Sequence, residues 1–158
     1  MSGRIIFSGP SGAGKTSAID AASDIPAVWK GNADYGAMTL DDGGVIHLCS
    51  SVCEIATGVG ADDSLGLILL IDNRRTAPDD DLLRHLRSFD TFIRRTAVAV
   101  GITHMDQQPR PRIDLFHTVM SYAGHGSMPL FEVDARDRRD VCMLVEAMVS
   151  VLDPVACA

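Results

Sequence analysis

The stretch GPSGAGKT at residues 9–16 decides how this sequence folds. It matches the pattern G-x-x-x-x-G-K-[ST], and it follows the apolar residues 4–8, which we predict to form a strand. Residues 15–23 directly after it have the composition of a helix. A strand, a glycine-rich turn and a helix in that order are the context that this pattern requires. The sequence therefore predicts a loop that binds phosphate groups.

Each residue type in this stretch has a chemical reason. Small residues let backbone N–H groups turn inward around phosphate oxygens, and the amino end of the following helix adds positive potential. We expect Lys15 to reach the β- and γ-phosphates of a nucleotide, as a candidate catalytic residue, and the Thr16 hydroxyl to bind Mg²⁺. The predicted nucleotide contacts here are Gly9, Ser11, Gly12, Ala13, Gly14, Lys15, Thr16 and Ser17.

The rest of the chain predicts one α/β domain. Its 158 residues, 46% of them hydrophobic and 22% charged, suit a single folded core. Apolar runs alternate with helical periods, which favours a three-layer fold with a mostly parallel sheet between helices. Residues 41–44, DDGG, favour a hairpin and therefore one antiparallel edge strand. We predict about six strands, at 4–8, 35–40, 45–49, 65–72, 97–103 and 130–133, and helices at 15–23, from Pro78, at 113–122 and at 141–152.

Charge and hydropathy exclude several classes of partner. The net charge of −7 would repel a nucleic-acid backbone, and no basic patch offsets it. No apolar run approaches the roughly 18 residues of a membrane span, and the first residues lack the core of a signal peptide. The four cysteines form no C-x-x-C pair, as in reduced thiols. We therefore expect a cytoplasmic protein with no nucleic-acid partner and no membrane span.

Residues 103–106, THMD, indicate which base the nucleotide carries. They follow the predicted strand 97–103 and resemble the [NT]-K-x-D motif of Ras-like GTPases. A carboxylate at Asp106 can accept hydrogen bonds from both the N1–H and the exocyclic amine of guanine, a paired contact that adenine does not offer. Thr103 and His104 complete the predicted contacts, and the imidazole of His104, where that family has lysine, would have to stack on the base.

A second segment, EVDAR at residues 132–136, resembles the S-A-K element of the same family. The resemblance implies that a backbone N–H at Ala135 reads the guanine carbonyl oxygen, with Arg136 beside it. Together with residues 34–36, 70–75 and 133–139, these motifs resemble bacterial Ras-like small GTPases related to the MglA type over nearly the whole chain. That resemblance implies a P-loop NTPase fold, GTP or GDP with Mg²⁺, and a signalling switch. It also implies a roadblock-fold partner or a GTPase-activating protein.

The residues that sense and hydrolyse GTP in that family are altered here. No threonine lies between the first predicted helix and Tyr35, and residues 49–54 read CSSVCE in place of D-x-x-G. Asp, Gly and Gln are all missing from this second loop, so Glu54 is the candidate general base, or else a solvated carboxylate. We therefore expect guanine-nucleotide binding with weak or absent hydrolysis. The carboxylates that could replace the missing Mg²⁺ ligands are Asp20, Asp24 and Asp34, and the sequence does not rank them.

Two other functions remain open from the sequence. Residues 67–72 end in Asp72, as in ATP-using P-loop enzymes, so a small ATPase or kinase would use Asp72 to hold Mg²⁺. A scaffold with a degenerate GTPase fold would bind nucleotide only structurally or not at all. Arg74 and Arg75 could supply an arginine in cis to the reaction, but we expect a structural or interface role for them.

Overall fold

The computed structural model describes residues 3–30, 33–50 and 64–152. Its strands are β1 (Gly3–Ser8), β2 (Val28–Lys30), β3 (Ala33–Thr39), β4 (Val45–Ser50), β5 (Ser64–Asp72), β6 (Ala97–Thr103) and β7 (Leu130–Glu132). Its helices are α1 (Lys15–Ala22), α2 (Pro78–Ser88), α3 (Asp90–Ile93), α4 (Ile113–Tyr122) and α5 (Arg138–Leu152). The described chain is therefore α/β, as predicted.

The strands form one mixed sheet in the order β2-β3-β4-β1-β5-β6-β7. The pairs β2–β3 and β3–β4 are antiparallel, and the remaining described pairs are parallel. A single antiparallel strand, β3, is as predicted, but its place at the edge is wrong because β2 lies outside it. With only three residues, β2 is too short to show a strand period in the sequence.

The predicted hairpin between β3 and β4 is confirmed. Thr39 pairs with Val45, and the turn between them closes through a hydrogen bond from Leu40 N–H to the Gly44 carbonyl. Asp42 stabilises this turn by accepting a hydrogen bond from Gly44 N–H at 2.7 Å. Thr39, the first threonine after α1, is thus a strand residue at the far end of β3 from its start at Ala33.

Apolar side chains bury both faces of the sheet and define three layers. On one face α1 and α5 cover the sheet, with Ile68 and Leu70 of β5 in the same cluster as Ile19 and Leu144. On the other face α2 and α4 cover it, and the alternate β5 residues join that cluster. An apolar stripe runs along α2 and α3, since Leu82, Leu86 and Phe89 are buried and Ile93 packs partly buried against them.

Helix α5 begins three residues before the predicted start, at Arg138. Its first turn is polar, so the apolar period of the sequence starts only at Val141, although Val141 N–H already bonds to the Asp137 carbonyl. Among the helices of the described residues, none is long and apolar enough to cross a membrane.

The strand order creates a crevice at the carboxyl ends of β1 and β4. From β1 the chain continues towards the β2 edge, whereas from β4 it crosses to β5 on the other side of β1. Ligands of open α/β sheets bind where the connections that leave two neighbouring strands run in opposite directions. The stretch at residues 9–16, called the glycine loop from here on, lies directly at this crevice.

Candidate functional site

The glycine loop connects β1 to α1 and passes very close to two other segments. Gly9 has φ 146°, and a Cβ atom at this position would collide with the carbonyl oxygen of Leu70. Gly14 has φ 104°, and a Cβ atom there would lie 2.7 Å from the Cβ of Ala135. Both conformations favour glycine. The glycines of the motif are therefore required by packing as well as by backbone geometry.

A cavity of about 490 Å³ opens over the glycine loop and the start of α1. We call it the first cavity. It lies at the amino end of α1, where helix N–H groups carry partial positive charge. Its lining residues are Ser11, Gly12, Gly14, Lys15, Thr16, Ser17, Trp29, Asp34, Ser50 and His104.

Lys15 is held against the glycine loop. Its Nζ donates a hydrogen bond to the Gly9 carbonyl at 2.8 Å. Partial burial lowers the pKa of Lys15 from its usual value, and the nearby charge of Asp34 opposes this shift. An anion in the first cavity would give this ammonium group a second counter-charge, which favours the protonated form.

Asp34 is the one of the three candidate carboxylates that reaches the first cavity. Its Oδ2 accepts a hydrogen bond from Thr16 Oγ1 at 2.7 Å and a longer one from Ser50 Oγ at 3.3 Å. Asp20 instead accepts a hydrogen bond from Ala27 N–H, and Asp24 accepts one from Thr39 N–H and pairs with an arginine of α5. The structure thus distinguishes the three carboxylates by which of them lines the first cavity, which the sequence did not do.

The oxygen atoms of Thr16, Asp34 and Ser50 are of the type that Mg²⁺ prefers. Within the part of the chain that the structure describes, no group of three or more His, Cys, Asp and Glu side chains could hold a metal ion. A magnesium ion here would therefore need further oxygens from a bound ligand and from water, which is how Mg²⁺ usually binds beside nucleotide phosphates.

A second cavity, of about 300 Å³, adjoins the first. The two cavities share Gly14, Ser17 and His104, so they lie next to each other at the carboxyl edge of the sheet. The remaining lining residues of the second cavity come from the segment after β6, from the end of β7 and the segment after it, and from the first turn of α5, and they are Met105, Asp106, Glu132, Val133, Asp134, Ala135, Arg136 and Asp140.

Hydrogen bonds fix the segment after β6 against the glycine loop. Thr103 is buried, and its hydroxyl donates to the Ala13 carbonyl at 2.8 Å, so its side chain supports the glycine loop. His104 has φ 62°, and its Nε2 lies 3.2 Å from the Gly12 carbonyl oxygen. The tautomer with a proton on Nε2 donates a hydrogen bond there. The imidazole therefore lies across the glycine loop, at the junction of the two cavities.

Asn73 holds the far side of the same segment. Its side-chain amide is buried and donates to the carbonyl oxygens of Gln108 and Pro111, at 2.7 and 3.0 Å. Because both acceptors belong to the loop that follows Asp106, the amide fixes that loop to the end of β5. Sequence reasoning missed this role, since the two acceptors are backbone atoms more than 30 residues away in the chain.

Asp106 leaves its carboxylate accessible at the second cavity. Its side chain is 64% exposed, and the guanidinium of Arg136 lies 3.8 Å away. Arg136 makes its shorter contacts with Asp134, at 3.0 Å to each carboxylate oxygen. Those hydrogen bonds lower the pKa of Asp134 from its usual value. Asp106 therefore remains available to a ligand, while Asp134 is engaged.

Asp72 forms an ion pair with Arg74. Two side-chain hydrogen bonds join them, Nε to Oδ1 at 3.1 Å and Nη2 to Oδ2 at 3.0 Å. Burial acts to raise the pKa of Asp72, but the hydrogen bonds from Arg74 outweigh it and the net shift is downward. Arg74 also donates to the Gly12 carbonyl at 3.4 Å, from outside the first cavity. The pair stabilises the glycine loop, which agrees with the structural role expected for Arg74.

The structure brings together all the predicted site residues that it describes. Three of them are buried and line neither cavity: Gly9, whose carbonyl accepts a hydrogen bond from Lys15, Ala13, whose N–H bonds to the Pro10 carbonyl, and Thr103, which lies beneath the glycine loop. Glu54, the candidate base, lies outside the described residues, as does the rest of segment 51–63. Trp29 lines the first cavity and was not predicted, although it is the single tryptophan of the chain.

Comparison with known proteins does not assign the chain to a family. No protein-family model matches the chain, and a search of curated proteins found no significant match.

Proposed function

We propose that this protein binds guanine nucleotides with Mg²⁺ in the two adjacent cavities and hydrolyses GTP slowly or not at all, as a Ras-like P-loop protein with altered switch segments. The observation that carries the proposal is that the two cavities lie side by side and share lining residues. The glycine loop lines one, and Asp106 with Ala135 lines the other, although these residues lie about 90 to 120 positions apart in the sequence.

The phosphates would occupy the first cavity. Lys15 and the backbone N–H groups at the start of α1 supply positive charge there, and the Thr16 hydroxyl and Asp34 supply oxygens for Mg²⁺. The ion would supply charge neutralisation at the phosphates when bound. The chain's own contribution is to orient the phosphates along the helix axis and to hold Lys15 beside them.

The base would occupy the second cavity. The exposed carboxylate of Asp106 can accept two hydrogen bonds from the N1–H and amine of guanine. Ala135, in contact range of Gly14, brings a backbone N–H next to the same cavity. Adenine presents an acceptor at N1, so it would leave Asp106 without its paired donors and would bind less well.

Weak hydrolysis is supported by the residues around the first cavity. Asp34 is the single Asp or Glu among its described lining residues, and its carboxylate is already hydrogen-bonded to Thr16 and Ser50. Arg74 is paired with Asp72. Arg74 is therefore not free to neutralise charge on the γ-phosphate, and the loss of such contacts typically slows phosphoryl transfer by orders of magnitude.

The test is calorimetric titration of nucleotide-stripped protein with GDP, GTP, a non-hydrolysable GTP analogue and ATP, in the wild type and in Asp106→Ala. We expect guanine nucleotides to bind more tightly than ATP, and the variant to lose roughly 10- to 150-fold in GDP affinity, because hydrogen bonds to a charged group contribute about 1.5–3 kcal/mol. Asp114→Ala, which removes an exposed carboxylate from the start of α4, is the matched control and should change nothing.

Three results would contradict the proposal in different ways. Equal affinity for ATP and GTP would favour the ATPase alternative and direct attention to Asp72. No binding of any nucleotide would favour the scaffold. Release of phosphate from GTP well above the roughly 10⁻⁴–10⁻³ s⁻¹ of intrinsic small-GTPase turnover would refute the slow reaction. A switch role further requires that a partner, such as a roadblock-fold protein, binds differently to the GDP and analogue forms.

A further inference from the structure

We propose that Asp34 is a fixed carboxylate ligand of the nucleotide-bound Mg²⁺, held by a strand instead of a mobile loop. This inference rests on the proposed function, because the ion would enter together with the nucleotide. It assigns the ligand that the altered switch segments lack, and it predicts that Asp34 contributes to holding the ion with GDP as well as with GTP.

The side chains of Asp34 and Thr16 place two oxygen atoms next to each other. Asp34 Oδ2 and Thr16 Oγ1 are 2.7 Å apart. Neighbouring ligands of an octahedral Mg²⁺ ion, each at about 2.0–2.1 Å, lie roughly 2.9 Å from one another. The carboxylate therefore already lies beside the Thr16 hydroxyl at nearly the separation of two adjacent ligands, and a shift of a few tenths of an ångström would suffice.

The position of Asp34 in the sheet carries the second step. It lies in β3, where it pairs with Trp29 of β2, and its own N–H donates to Ser50 Oγ at 3.0 Å. Ser50 ends β4 and its hydroxyl also donates to Asp34 Oδ2 at 3.3 Å. Strand β2 thus holds the backbone of Asp34, and Ser50 of β4 contacts both its backbone and its carboxylate, so Ser50 acts as a positioning residue.

Burial and charge carry the third step. Asp34 is only 6% exposed, and Lys15 is the single Lys or Arg among the described residues that line the first cavity. A buried carboxylate beside nucleotide phosphates is repelled by them unless a cation lies between. Lys15 alone would have to balance both Asp34 and the phosphates, whose charge exceeds its own. A divalent ion at Asp34 and Thr16 would remove this conflict.

The experiment measures GDP affinity by calorimetry with Mg²⁺ and with EDTA, in the wild type, in Asp34→Asn and in the control Asp20→Asn. Asp20 is an exposed carboxylate of α1 outside both cavities. We expect Mg²⁺ to tighten GDP binding by roughly 5- to 150-fold in the wild type and in Asp20→Asn, the usual range of coupling between two sites. Asp34→Asn should lose most of this gain.

The sign of the effect in EDTA separates a ligand from a merely structural residue. Without a cation Asp34 repels the phosphates, so Asp34→Asn should bind GDP in EDTA as tightly as the wild type or more tightly. A weaker affinity that is the same with Mg²⁺ and with EDTA would mean that Asp34 only supports the site, and would overturn the inference.

Manganese provides a readout that does not depend on affinity. The electron paramagnetic resonance spectrum of Mn²⁺ with GDP should show the bound ion in the wild type and loss of that signal in Asp34→Asn at equal saturation with GDP. Should Asp34→Asn fail to fold, Ser50→Ala decides the matter: a smaller gain from Mg²⁺ supports the inference, and an unchanged gain overturns it.

The two proposals fail in distinguishable ways. A wild-type protein that binds no GDP under either condition refutes the proposed function, and this inference with it. A wild-type protein that binds GDP, with a gain from Mg²⁺ that Asp34→Asn retains in full, refutes this inference alone. If Asp34→Asn loses the gain from Mg²⁺ with the GTP analogue but keeps it with GDP, the claim that Asp34 acts independently of the γ-phosphate is overturned.

Discussion

At the residue scale, the contact between Gly14 and Ala135 joins the two halves of the site. The glycine loop and the segment after β7 approach so closely that a Cβ atom on Gly14 would lie 2.7 Å from the Cβ of Ala135. The small size of both residues is thus a condition for these two segments to pack this closely. The phosphate-binding motif alone predicted a glycine at position 14, and it did not predict that Ala135 would be its neighbour.

This contact predicts the effect of Gly14→Ala. A positive φ is strained for alanine, and the crowding against Ala135 adds to it, so we expect the free energy of unfolding to fall by about 2–4 kcal/mol. Gly43→Ala is the control, because Gly43 has φ 82° but nothing within 4 Å of its Cβ position, and it should cost only about 1–2 kcal/mol. Denaturation in urea measures both values.

A compensating change identifies the crowding itself. In the Gly14→Ala background, Ala135→Gly removes the methyl group that the new Cβ meets, so it should recover part of the lost stability. If Ala135→Gly lowers stability equally in both backgrounds, the two positions are not coupled and the close contact is wrong.

At the element scale, the long apolar strands and helices were predictable and their small additions were not. Strand β6 has the predicted bounds and α4 has them too, because a continuous apolar run or a clear period marks each. Strand β2 was missed because three residues carry no period. The residues at the candidate site also divide into those that the sequence predicted and those that it did not. The motif residues were predicted to lie near one another, whereas the positions of Asn73 and Trp29 were not predicted, since they depend on which strands become neighbours.

Asn73 predicts how the loop after β6 responds when its anchor is removed. Asn73→Ala eliminates two hydrogen bonds to the Gln108 and Pro111 carbonyls. We expect backbone amides of residues 104–112 to exchange with solvent roughly 5- to 30-fold faster, which corresponds to about 1–2 kcal/mol of local stability. Amide hydrogen exchange read by mass spectrometry measures this change.

Gln107→Ala is the matched control for the loop. Gln107 belongs to the same loop, and its side chain makes an exposed contact with Arg74 at 3.3 Å. Its loss should leave exchange in residues 104–112 nearly unchanged. Equal acceleration in both variants would mean that the loop is loosely held in any case, and that the buried amide of Asn73 does not anchor it.

At the scale of the whole molecule, one sheet supports both helical layers. Strands β5 and β6 are buried on both faces, so side chains of each cluster alternate along the same strands. The parallel order was predictable from the alternation of strands and helices. The exact neighbours were not, because sequence separation does not state that Thr103 lies beneath Ala13. The described layers should therefore unfold together instead of one after the other.

Phe116→Ala tests this cooperation. Phe116 is fully buried in the cluster under α2 and α4, on the opposite face from α1. Its truncation should lower the free energy of unfolding by about 3–5 kcal/mol while the transition stays single and the denaturant slope is kept. The neighbouring Leu115→Ala, at a position 38% exposed, should cost about 1 kcal/mol or less. Two separate transitions would show that the layers are independent.

Trp29 gives the chain an optical reporter of its own. It is the only tryptophan among the 158 residues, it is 65% exposed, and it lines the cavity beside Asp34. Indole emission responds to water and to nearby charge, so filling that cavity should shift the fluorescence of this single fluorophore without interference from another. Stopped-flow mixing could then measure the association and dissociation rates of an unlabelled nucleotide, and with them its residence time in the cavity.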